Sequence, residues 1–121
     1  MIELLKQIDQ VFSKGKYTEV KKELKRLGFV PAEKAGKVGK TSLVDIFNAD
    51  REIEFPGNEE EKLYIEGSIF FGVKDLPNYA FLYWGVNEYS EEQQDYFVPH
   101  LHVYIKEITS AELSEVLKIS V

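Results

Sequence analysis

Between Leu63 and Ile108 the chain passes through three runs dense in aromatic and β-branched residues, LYIEGSIFFGV, YAFLYWGVNEY and YFVPHLHVYIKEI. Apolar and polar positions in them recur with the period of two that sends successive side chains to opposite faces of a strand. In the first run Leu63, Ile65, Ile69, Phe71 and Val73 share a face, and in the third Phe97, Leu101, Val103 and Ile105 do so. These two faces are predicted to form the core. The opposite faces carry Tyr64, Glu66, Ser68 and Phe70 from the first run and Tyr96, Val98, His100, His102 and Tyr104 from the third, giving an aromatic, polar and partly acidic surface. In the middle run Tyr79, Phe81 and Tyr83 alternate with Ala80, Leu82, Trp84 and Val86, so both sides are apolar. Such a strand is central in its sheet or covered on both faces. Asp75-Leu76-Pro77-Asn78 and the segment from Ser90 to Asp95 supply the connections, because Asp, Pro, Asn and Ser favour turns.

Upstream the period changes. Ile2, Leu5, Ile8 and Phe12 follow helical spacing up to the Lys14-Gly15-Lys16 break, and Val20, Leu24 and Leu27 form a second helical stripe with Thr18 as the expected N-cap. Gly28 stands where a left-handed C-terminal cap is wanted. Phe29-Val30-Pro31 is extended, and Ala32 to Thr41, with little to bury, reads as a mobile basic loop. Ser42 to Asn48 fits a strand or a helical turn, and Arg51 to Phe55 alternates as a strand, with Asn48-Ala49-Asp50 as the hairpin turn if both are strands. Pro56-Gly57-Asn58 ends that strand. Thr109 and Glu112 form a Thr-x-x-Glu capping box ahead of Leu113, Val116 and Leu117, which predicts a final helix. The sum is a single α+β domain spanning residues 1–121: two N-terminal helices, a mainly antiparallel sheet of four or five strands, and a C-terminal helix.

A chain of 121 residues is long enough to bury roughly two-thirds of its unfolded surface without staples. No apolar run reaches the ~18 residues of a membrane span, and the first residues lack the features of a secretory signal, so a soluble, non-membrane protein is expected. Cysteine is absent, which removes disulfides, thiolate nucleophiles and cysteine zinc sites and fits a cytoplasmic setting. The net charge of −6 is unevenly spread: residues 1–40 hold ten basic and five acidic side chains (+5), residues 41–121 five and sixteen (−11). An acidic sheet half disfavours nucleic acid, whose binding needs Lys and Arg against phosphates, and favours a basic protein partner.

Few motifs carry chemistry. Gly39-Lys40-Thr41 has the tail of a phosphate-binding loop, but Lys34 occupies the position of its first glycine, so the spacing fails. His100 and His102 alternate on a strand and so would share one side, roughly 7 Å apart; with Glu66 or Glu88 they could begin a metal site. The five residues His100-Leu101-His102-Val103-Tyr104 also resemble a histidine-triad stretch in which Tyr104 replaces the third histidine. That resemblance would imply nucleotidyl transfer or hydrolysis through a covalent histidine. Asp50, Glu52 and Glu54, with Glu59 to Glu61 and Glu91, Glu92 and Asp95, could converge on an acidic patch, though nothing separates paired glutamates into an acid and a base.

The expectation is therefore a non-enzymatic acidic binding module that needs no cofactor and has no catalytic residues. Its contact residues would be Glu59, Glu60, Glu61, Glu66, Glu91 and Glu92, with Tyr64, Tyr83, Tyr89 and Tyr104 as aromatic anchors. An immunity or antitoxin-type inhibitor of a basic effector, such as a nuclease toxin, is the biological class that fits. The alternative is a small enzyme or metal-dependent binding protein built on His100 and His102 with nearby carboxylates.

Overall fold

The computed structural model describes residues 1–14, 16–35, 41–57, 63–97 and 101–119, with only the backbone of Lys34, Ala35, Leu63 and Tyr64. Its helices are α1 (Ile2–Lys14), α2 (Tyr17–Arg26), α3 (Ala32–Ala35), α4 (Leu43–Phe47) and α5 (Ser110–Leu117). Its strands are β1 (Val30–Pro31), β2 (Arg51–Phe55), β3 (Leu63–Phe71), β4 (Tyr79–Ser90), β5 (Asp95–Phe97) and β6 (Leu101–Glu107). They form one sheet, antiparallel throughout, in the order β1-β6-β4-β3-β2, with β5 pairing with β4 beyond the end of β6. The α+β class and the placing of two helices before the sheet and one after it follow the sequence pattern.

Each helix is anchored by the stripe it buries. Ile8 and Phe12 of α1, Val20 and Leu24 of α2 and Val116 of α5 pack with Phe29 on one face of the sheet, against Phe55, Ile65, Ile69, Phe71, Leu82, Trp84 and Tyr104. Gly28, at φ +97°, ends α2 in the left-handed conformation, and its amide and that of Phe29 donate to the Lys25 and Leu24 carbonyls. The cap at the other end of α2 differs from expectation. Helix α2 begins at Tyr17, with Lys16 as N-cap, because the Glu19 carboxylate reaches back to the Lys16 amide at 3.3 Å.

The second face of the sheet has its own smaller core, in which Ala32 and Ile46 of α3 and α4 meet Phe70, Phe81, Tyr83 and Ile105. Two expectations change here. Leu43–Phe47 is a helical turn, because the Ser42 hydroxyl accepts from the Asp45 amide while the Asp45 carboxylate accepts from the Ser42 amide, so no hairpin joins it to β2. The segment from Ala32 is not a bare loop either: Ala32–Ala35 is helical, and Ala32 and Thr41 are buried. Residues 36–40 of the expected loop lie outside the described residues.

The largest departure concerns the third apolar run. Phe97 pairs with Glu88 and Leu101 with Gly85, so four steps along the β5–β6 side match three along β4. That offset of one residue between the two registers reverses which side chains point where. Phe97 shares a side with Glu88, whereas Leu101, Val103 and Ile105 lie on the side of Tyr83 and Phe81. The core face of β3 therefore continues into His102 and Tyr104, through the rows Gly67–Trp84–His102 and Ile69–Leu82–Tyr104. Val73 departs as well. Gly72, at φ +73°, turns the chain out of β3 and delivers Val73 to the second core.

Candidate protein-binding face

The three-helix layer covers one side of the sheet, and α3 and α4 cover only part of the other. Phe47 of α4 stacks on Tyr83 at 5.2 Å and 28° and meets Phe70 edge-on at 5.6 Å, and Phe70 is in turn edge-on to Tyr83. The Phe47 ring is itself 58% exposed, and beyond it Leu101 is 57% exposed. From this aromatic corner the face runs toward the β4–β5 turn in successive cross-strand rows. Glu54, Ser68 and Tyr83 form one row, Glu66, Gly85 and Leu101 the next, then Tyr64 and Asn87, then Tyr89 and Tyr96.

Small residues at the centre of large ones make a hollow. Ser68 and Gly85 sit between Glu54, Glu66, Tyr83 and Leu101, and together these line a groove of about 550 Å³. The Asn87 amide donates to Glu66 Oε1 at 3.2 Å and fixes that carboxylate at the groove edge. Tyr83 is 5% exposed, and its hydroxyl is shielded with no hydrogen-bond partner among the described residues. Burial pushes that hydroxyl's pKa above its ordinary value of 10.0, so it is a neutral donor and acceptor at neutral pH. At the far end Tyr89 and Tyr96 pack edge-to-face at 5.1 Å, and Glu91 and Glu92 are exposed in the adjoining turn.

The structure thus brings Glu66, Tyr83 and Tyr89 onto one face, at one end of which stand Glu91 and Glu92, and Tyr64 occupies the register position opposite Asn87 on that face. Glu52 and Glu54, from the expected acidic patch, share it through their pairing with Phe70 and Ser68. Two aromatic anchors change character. Tyr83 is the wall of a hollow instead of a projecting ring. Tyr104 is buried on the opposite side, edge-on to Trp84 at 5.6 Å, where burial raises its hydroxyl pKa while nearby Lys21 partly offsets the rise. Glu59, Glu60 and Glu61 lie outside the described residues. Ser68 and Tyr96 were expected on an outer surface but not as contacts, Leu101 was expected in the core, and Phe47 and Gly85 were not expected at the site; the signal that joins them is the register between strands, which one strand's period does not contain.

His102 lies half-buried on the helix side of the sheet. Its ring stacks on Trp84 at 4.5 Å and 28°, and its Nε2 is 3.0 Å from the Tyr17 hydroxyl. Using that nitrogen for a metal would break the contact with Tyr17. His100 lies outside the described residues, and among those described no group of three or more His, Cys, Asp or Glu is placed to hold a metal ion. Gly39 and Lys40 are likewise outside them, and Thr41 is buried. No helix among the described residues is long and apolar enough to cross a membrane. No protein-family model matches the chain, and neither a curated protein nor a solved structure matches it.

Proposed function

We propose that the chain is a non-enzymatic binding module that engages a basic protein through the partly uncovered face of its sheet. The observation that carries this reading is the convergence of Glu52, Glu54 and Glu66 with Tyr89, Tyr96 and Leu101 on that face, although they come from five strands distant in sequence. Carboxylates around aromatic and aliphatic surface are what a cationic partner needs: charge steers the encounter, and burial of Tyr and Leu holds the complex. The −11 carried by residues 41–121 extends the attraction beyond the contact itself. An inhibitor of immunity or antitoxin type, neutralising a basic effector such as a nuclease toxin in the cytoplasm, is the class that fits this chemistry.

The test is capture of a basic protein from the native organism, followed by hydrogen exchange on the purified complex. The expected result is new protection in β3, β4 and β6, with capture abolished by the double reversal Glu54→Lys, Glu66→Lys. Protection confined to α1 and α2, or capture indifferent to the reversals, contradicts the proposal.

A further inference from the structure

We propose that the groove between β2, β3, β4 and β6 seats one arginine side chain of the partner, an inference that rests on the binding-face reading and specifies its central contact. Glu54 and Glu66 are diagonal neighbours across β2 and β3, since Glu54 pairs with Ser68 and Glu66 lies two residues before it. That arrangement sets their backbones roughly 7–8 Å apart. Between them the floor is Ser68 and Gly85, and the walls are Tyr83 and Leu101. The occupant must be cationic because carboxylates flank the hollow from two directions, and long because the hollow lies below its rim.

Tyr83 supplies an observation independent of the acids. Buried hydroxyls in proteins almost always have a hydrogen-bond partner. This one, on a residue only 5% exposed that lines the groove, has none among the described residues, which points to a partner outside the chain. Guanidinium matches the whole set better than ammonium. It carries five donors in a plane, enough for two carboxylates together with the Ser68 and Tyr83 oxygens. An ammonium has three donors and holds its water more strongly. The volume of about 550 Å³ leaves space beside the arginine for neighbouring residues of the same segment.

The experiment is an NMR titration of the isotope-labelled protein with hexa-arginine and, separately, hexa-lysine peptides, following backbone amides. Hexa-arginine is expected to shift Gly67, Ser68, Gly85 and Leu101 in a saturable way and to bind at least about threefold tighter than hexa-lysine. Ser68→Leu, which fills the groove without changing charge, and Tyr83→Phe, which removes only the hydroxyl, should each erase that preference; thermal unfolding checks that both remain folded. Glu52→Gln, on the same face outside the groove, should weaken both peptides alike. If the two peptides shift the face equally and Ser68→Leu changes nothing, the arginine seat is wrong while the acidic face stands as a binding surface. If neither peptide shifts any amide of this face, both the seat and the binding-face reading fail.

Discussion

A methyl group on Gly67 would stand 2.5 Å from the Tyr83 carbonyl oxygen and 3.0 Å from both Phe12 and the Trp84 Cβ. The missing side chain is what lets Phe12 and the fully buried Trp84 close onto β3, with their rings 6.3 Å apart. Gly67→Ala should therefore cost about 1–3 kcal/mol by overpacking, seen as a lowered denaturant midpoint. An unchanged midpoint would mean these contacts are looser than described. Beside them, the Tyr17 hydroxyl and His102 close the layer with their hydrogen bond. Tyr17→Phe should cost on the order of 1 kcal/mol, the net value of one such bond. Because His102 is engaged in this way, zinc in modest excess should leave the melting temperature where it was, as a ligand specific for the folded state must raise it. A rise of several degrees that disappears in His102→Ala would restore the metal-site alternative.

At the level of elements, the ends of the helices are where local sequence decides most. The Thr109 hydroxyl accepts from the Glu112 amide, and the Glu112 carboxylate accepts from the Thr109 amide at 3.0 Å. The latter bond holds the Glu112 carboxyl below its ordinary value of 4.5. A depressed folded pKa contributes stability that is present above the unfolded value and is lost as pH falls through the folded one. The loss from this group should therefore begin near pH 4.5 and continue downward, and Glu112→Gln should flatten that part of the stability profile. A profile identical to that of the parent chain would remove the carboxylate from the cap. Thr109→Ala should cost about 1 kcal/mol at neutral pH, by the loss of the same cap.

This capping box and the Gly28 terminus were legible because both are written in residues a few positions apart. Ser42 and Asp45 use the same grammar for α4, but a helix of five residues burying only Ile46 shows no apolar period, so strand and helix fit it equally. The face carried by β6 was not legible for a different reason. Period-two alternation gives the two sides of one strand and says nothing about which side matches its neighbour. The register of β6 on β4 is then offset by one residue from that of β5, which shifts the match. Pro99 in the third run was the available signal in the sequence that its alternation need not continue unbroken, since proline cannot donate to a strand ladder. The acids and tyrosines of the proposed binding face could be picked out singly, whereas the hollow among them depends on Ser68 and Gly85 lying in adjacent rows of three paired strands.

For the whole molecule, a chain divided into +5 and −11 along its sequence presents its excess negative charge in the half that supplies most of the sheet. Charges at the rim mostly govern how fast two proteins meet and how strongly salt slows them, and buried aromatic anchors govern how long they stay together. The binding-face account therefore separates the two rates by residue. The direct measurement is association and dissociation kinetics, at low and high salt, between this chain and the basic protein it captures. Reversing Glu91 and Glu92 to lysine should slow association and flatten its salt dependence with little change in dissociation. Tyr96→Ala should leave association nearly unchanged and speed dissociation by an amount worth about 2 kcal/mol. Rates indifferent to both substitutions, or turnover of a small substrate that depends on His102, would contradict the account.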